Sequence, residues 1–173
     1  MNQFLEIIKT RRSCRHYKAE QITDQELSEV LEAGTYAPTG HGKQDPIIVA
    51  VQDTALKSRL AKLNAQIMGT DSNPYYDAPT YVLVFASKDN ANAFQDGSCV
   101  LENMMLAAHS IGLGTCWINR EYQMFLTEEG KSIMKELHLS ENLIGIGAVS
   151  LGYPSRQPRP AAPRKDGWTL IVK

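Results

Sequence analysis

Four short apolar runs, each bounded by turn residues and separated from the next by a helical stretch, constrain this chain more than any other feature. They read PIIVAVQ (residues 46–52), APTYVLVFAS (78–87), GTCWI (114–118) and IGIGAVSLGYP (144–154). Each is rich in β-branched or aromatic residues and too short for a typical helix, so each is a buried strand, the last loosened by Gly145 and Gly147. Between them apolar residues recur at helical spacing: Leu27, Val30, Leu31 and Gly34, then Leu56, Leu60, Leu63 and Ile67, then Leu101, Met104, Met105, Ala108 and Ile111, then Ile133, Met134 and Leu137. Phe4, Ile7 and Ile8 add a short stripe at the N-terminus. Strands that alternate with amphipathic helices predict a sheet of about four strands sandwiched between helical layers.

The helix ends are also written in the residues. Thr23 with Glu26 three positions on is a capping box, and Ile22 with Leu27 fits a hydrophobic staple. Asp53 and Thr127 stand where N-caps belong, and Gly112 stops the long helix that starts near Ala93. At 173 residues, without an internal repeat, the chain reads as one domain spanning 1–173. Residues 153–173 differ from the rest. Pro154, Pro158, Pro160 and Pro163 alternate with Arg156, Arg159, Arg164 and Lys165, a composition that makes an extended, stiff arm. The arm ends in WTLIV (168–172), another strand-like run with no neighbour in sequence to pair with. Its pairing edge lies at a distance, and a second subunit could supply it.

Charge is unevenly spread. The net charge is -1, with 18 basic and 19 acidic residues, which argues against a general nucleic-acid or membrane-surface binder. Yet the stretch KTRRSCRHYK (9–18) packs Lys9, Arg11, Arg12, Arg15 and Lys18 together with no carboxylate. Such a run can be a solvated turn. It can also be an oxyanion site, because guanidinium forks match phosphate oxygens and Ser13 adds a hydroxyl donor. No run is long and apolar enough for a membrane span, and the N-terminus does not read as a signal peptide. Three cysteines, Cys14, Cys99 and Cys116, without CxxC spacing fit free thiols in a reducing cytoplasm. The GxG of GLGTCW follows a helix and enters a strand, the reverse of a dinucleotide fingerprint. His16, His41, His109 and His138 show no metal-ligand spacing.

Five stretches taken together, in this order, resemble the nitroreductase family of flavin enzymes: RRSCRHY (11–17), AGTYAPTGHGKQDP (33–46), YDAPTYVLVFA (76–86), LENMMLAAHSIGLGTCWI (101–118) and SLGYP (150–154). The resemblance runs from Phe4 to Arg164. It implies an α+β fold with a mixed central sheet flanked by helices, in an intertwined homodimer whose C-terminal extension crosses to the partner. It also implies tightly bound FMN at the subunit interface, NADH or NADPH as co-substrate, and a small nitroaromatic, quinone or related acceptor. Arg11, Arg12, Ser13 and Arg15 match the family's phosphate- and flavin-binding run. Arg164, with Lys165 beside it, matches the basic residue that closes on the same phosphate. Pro38, Thr39 and Gly40 match the loop that reaches the flavin from the other subunit, and Gly114 and Thr115 match the backbone along the isoalloxazine edge.

In this reading no side chain is catalytic. Hydride arrives at flavin N5, the nicotinamide leaves, and the acceptor takes its place in ping-pong order. Arg12 and Arg15 are assigned to the ring end, where reduction puts negative charge, and Arg11 and Arg164 to the phosphate. The loop departs from the family at Gly42, where asparagine is usual, and at Asp45-Pro46, where proline and tryptophan are usual; Gln44 is retained and is a flavin-contact candidate. Asn64 and Asn73 are both candidates for a further family asparagine. The same motifs also fit a dehalogenase or oxidase on this fold, or an FMN-binding protein without catalysis.

Overall fold

The computed structural model describes residues 2–173. Helix α1 (Gln3–Thr10) leads to α2 (Asp24–Thr35), strand β1 (Ile47–Val51), α3 (Thr54–Met68), β2 (Thr80–Ser87), α4 (Ala93–Ser110), β3 (Gly114–Ile118), the single turn α5 (Glu121–Met124), α6 (Glu128–Glu136) and β4 (Leu143–Gly152). The strands lie in the order β1-β2-β4-β3. Every ladder is antiparallel, so the expected mixed sheet is corrected to an antiparallel one within this chain. The one parallel pairing among the described residues is an isolated bridge between Ser13 and Thr115, outside the named strands.

β2 organises the interior. Its side chains alternate faces, and both faces are covered. Tyr81, Leu83 and Phe85 pack with residues of α3, α5 and α6, including Leu60, Met124 and Ile133. Val82, Val84 and Ala86 pack with Val30 of α2 and with Val100, Leu101 and Met104 of α4. The result is the helix–sheet–helix sandwich that the alternating segments imply, with an α+β order of elements.

The predicted caps form. Thr23 Oγ1 accepts from the Glu26 amide at 3.2 Å while Glu26 Oε2 accepts from the Thr23 amide at 2.8 Å. Asp53 Oδ1 accepts from the Leu56 amide and Thr127 Oγ1 from that of Gly130. β4 is continuous rather than loosened. Its register against β2 shifts between Val84 and Phe85, leaving Ile146 out of the ladder as a bulge. Gly145 has no room for a side chain, because a Cβ there would lie 2.6 Å from the carbonyl oxygen of Glu121.

Two segments leave apolar residues uncovered among the described residues. α1 buries none of its residues, and Phe4, Leu5 and Ile8 of its apolar stripe are exposed. The tail WTLIV forms no strand, and Trp168 and Leu170 are 67% and 88% exposed. The expectation of a strand here is corrected for the isolated chain: the run has the residues of a strand and no sheet edge beside it.

Candidate functional site

After α1 the basic run extends along the edge of the sheet and is stitched there by its backbone. The Cys14 amide donates to the Thr115 carbonyl at 2.7 Å, the Lys18 amide to that of Tyr153 at 2.9 Å, and the Ser155 amide to that of His16 at 2.9 Å. Tyr17 pairs with Pro154 in an antiparallel bridge. The Tyr17 hydroxyl donates to the Cys14 carbonyl at 2.8 Å and lies 2.9 Å from Ser150 Oγ; burial raises its pKa far above the ordinary phenol value, so it stays protonated. Gly114 allows this close approach, since a Cβ there would sit 2.8 Å from both Cβ and Sγ of Cys14. Burial pushes the Cys14 and Cys116 thiols up, which makes them poor nucleophiles at neutral pH.

The stitching leaves a cleft of about 850 Å³ between the basic run, the turn after α4 and the start of the C-terminal arm. Of the residues expected from the sequence, Arg12, Ser13, Arg15 and Gly114 line it. Arg12 is braced by donating from Nη2 to the Lys9 carbonyl at 2.8 Å, and from Nη1 to the Arg11 carbonyl. Its Nε is buried without a hydrogen-bond partner. Arg15 Nε donates to the Tyr76 hydroxyl at 3.3 Å, and its guanidinium lies 5.7 Å from that ring's centroid. No Asp or Glu lines the cleft.

Several expected residues stand elsewhere. Arg11 is outside the lining and meets Glu102 of α4 at 3.7 Å; the run is free of carboxylates in sequence but not in space. Arg164 is exposed and, among the described residues, donates only to the Ala162 carbonyl. Thr115 is buried and contributes backbone through its pairing with Ser13. Cys14 and His16, given no role in the sequence reading, also line the cleft.

The loop from Pro38 to Gln44 is not part of this cleft. Thr39 and Gln44 line a separate one of about 790 Å³ between α2 and β1. His41, Gly42 and Gln44 have φ of 56°, 65° and 50°, a left-handed path that needs outside support. Asp96 of α4 supplies it, accepting from the Gly40 amide at 2.9 Å through Oδ1 and from Asn90 Nδ2 at 3.0 Å through Oδ2. Asp45 Oδ2 accepts from the Ser87 amide and from Asn90 Nδ2, both at 3.0 Å. The Asp45 that departs from the family pattern thus ties the loop to β2.

Neither asparagine candidate reaches the basic cleft. Asn64 is fully buried, donating to the Asn119 carbonyl and accepting from Arg120 Nε at 2.7 Å. Asn73 donates to Asp77 and to the Tyr81 hydroxyl. Nearby, Glu121 is wholly buried, and burial raises its pKa to about 8; Tyr75 donates to Oε1 at 2.9 Å, and Oε2 has no partner.

The sequence reading missed His109, Arg156 and Arg159, which line the cleft. His109 stands 2.9 Å from Thr10 Oγ1, and its pKa is lowered by burial and then by Arg11 and Arg12. Arg156 and Arg159 were visible as part of the basic arm; the signal was their position immediately after Pro154, which pairs with Tyr17.

Comparison with known proteins gives this arrangement a context. The sequence model of the nitroreductase family matches residues 8–153. A protein of Archaeoglobus fulgidus named for NADH dehydrogenase and NAD(P)H nitroreductase activity is 30% identical over 160 residues, 89% of this chain and 87% of that one. The NADPH-flavin oxidoreductase of Vibrio harveyi is 27% identical over 188 residues, 99% of this chain and 73% of that one. A Bacteroides fragilis nitroreductase solved with bound FMN is 32% identical and superposes over all of both chains with a TM-score of 0.92. With the family's own model spanning the chain from α1 through β4 and a solved member matching it end to end, this chain belongs to the nitroreductase family.

Proposed function

We propose that the protein is an FMN-dependent NAD(P)H oxidoreductase, acting as a homodimer on small nitroaromatic, quinone or related acceptors in ping-pong order. The observation that carries this reading is the carboxylate-free arginine cleft, with a buried Arg12 Nε that has no partner among the described residues. A buried donor without an acceptor is costly, and a bound anion next to it would remove that cost.

The donor set fits FMN. Arg12 and Arg15 supply guanidinium groups, Ser13 a hydroxyl, and Gly114 backbone in the same lining. Bound FMN supplies the redox chemistry, accepting hydride from the nicotinamide and passing reducing equivalents to the acceptor. The chain binds and orients. Arg15, held by the Tyr76 hydroxyl, places positive charge where reduction makes the cofactor negative. Arg12, braced by two carbonyls, adds a second positive charge at that end.

The Pro38–Gln44 loop lines a different cleft from the arginines, which suits a site completed by the corresponding loop of a second copy. The exposed α1 stripe and the WTLIV tail are surfaces that such a partner, crossed by the arm, would cover. Arg164 and Lys165 reach the phosphate in this arrangement only if the arm settles against a partner. We place the protein in the cytoplasm; among the described residues no helix is long and apolar enough to cross a membrane.

The test is the visible spectrum of the purified protein. Flavin absorbance that bleaches anaerobically on addition of NADH or NADPH, and returns on addition of a quinone or nitroaromatic, supports the reading. A colourless protein that binds no added FMN contradicts it.

A further inference from the structure

Arg15 is exposed and yet held. Its Nε donates to the Tyr76 hydroxyl at 3.3 Å, and its guanidinium lies 5.7 Å from that ring's centroid, within range of a cation–π contact. No ion pair among the described residues involves Arg15. The carboxylate next to Tyr76 in sequence is turned to another partner: Asp77 Oδ1 accepts from Asn73 Nδ2 at 2.8 Å. The tether on Arg15 is therefore neutral. It orders the guanidinium and leaves its charge unoffset, whereas a carboxylate in the same place would oppose that charge.

Tyr76 can do this because its turn is anchored. Tyr76 and Asp77 follow one another at φ of 57° and 54°, a left-handed path that such residues seldom take without support. Asn73 supports it from outside: its Oδ1 accepts from the Tyr75 amide at 2.9 Å and its carbonyl from the Tyr76 amide at 3.0 Å. Tyr75 supports it from the core. Fully buried, it stacks on Tyr81 with ring centroids 4.1 Å apart and donates to Glu121 Oε1 at 2.9 Å. One tyrosine of the pair pins the turn, and the next presents its ring and hydroxyl to Arg15.

We infer that Tyr76 is a positioning residue for Arg15, and that this neutral tether raises the reduction potential of bound FMN by holding an unoffset positive charge where reduction adds negative charge. The inference rests on the proposed FMN-dependent function. A guanidinium free to move must be ordered when the cofactor is reduced, whereas one already in place contributes its full attraction. The contact favours reduced over oxidised FMN, so it shows in the ratio of their affinities, which the midpoint potential reports.

The experiment uses flavin-loaded wild type, Tyr76→Phe, Tyr76→Ala, Arg15→Ala and Tyr76→Ala/Arg15→Ala. It measures the two-electron midpoint potential of bound FMN by anaerobic titration against a reference dye, and the dissociation constant of oxidised FMN by fluorescence. In Tyr76→Ala the affinity for reduced relative to oxidised FMN is expected to fall about tenfold, which for a two-electron couple is a potential about 30 mV more negative. Tyr76→Phe, which keeps the ring and loses the hydroxyl, shifts in the same direction by less. In the Arg15→Ala background Tyr76→Ala shifts the potential no further, as residues acting through one another require. Unchanged potentials in both Tyr76 variants overturn the inference, and Tyr76→Phe decides alone if Tyr76→Ala does not fold. An equal shift with and without Arg15 also overturns it, since Tyr76 would then act by another route. Wild-type protein that binds no FMN overturns the underlying function instead.

Discussion

Arg12 donates to two backbone carbonyls and keeps a buried Nε without a partner among the described residues. Its type, and its company of Ser13 and Arg15, were enough to suggest an anion site. That its Nε would be buried without a partner depends on packing that no spacing rule contains. Arg11 makes the same point in reverse, because its partner Glu102 lies on another element and neutralises a cation that the sequence alone leaves free. Glu121 was not legible at all. It looks like an ordinary helix-start carboxylate and is wholly buried against Tyr75. Burial lifts its pKa from 4.5 to about 8, so the folded protein holds this proton more tightly than the unfolded chain does. The resulting stabilisation is complete below the unfolded value of about 4.5 and is lost as pH rises through about 8. Glu121→Gln, which is neutral throughout, is expected to flatten this decline. Chemical denaturation from pH 5 to 9 checks it, and parallel pH profiles for variant and wild type would contradict it.

At the scale of elements, the strands and capped helices were legible because their signals are local: a period, a cap, a β-branched run. The expected mixed sheet was not correct within this chain, because strand direction follows from which strands become neighbours, and the order β1-β2-β4-β3 is set by tertiary packing. The tail WTLIV has strand propensity, but a strand needs an edge. The loop after α2 depends on long-range support from Asp96, Asn90 and Asp45. Asp96→Ala removes the acceptor of the Gly40 amide and one of the two acceptors of Asn90 Nδ2. It is expected to loosen residues 39–46, seen as faster amide hydrogen exchange there, and to raise KM for the acceptor while α3 and α6 keep their protection. Unchanged exchange across the loop would show that Asp96 is not its anchor.

At the scale of the whole molecule, one chain presents the arginine cleft and the Pro38–Gln44 loop on separate clefts and leaves apolar residues of α1 and the tail uncovered. The proposed homodimer would account for both. Removal of residues 155–173 is expected to shift the molar mass in solution from dimer toward monomer and to lower bound flavin, as read by light scattering with absorbance. A full-length protein that is monomeric and flavin-loaded would contradict the shared site.

A fluorescence titration of flavin-free protein with FMN tests most directly whether the basic cleft is the FMN site. Wild-type protein should bind stoichiometrically, and Arg12→Ala should bind with a dissociation constant raised about tenfold or more, from loss of a charge-assisted contact worth about 1.5–3 kcal/mol. Equal affinity in the two proteins, with both folded, would contradict the assignment.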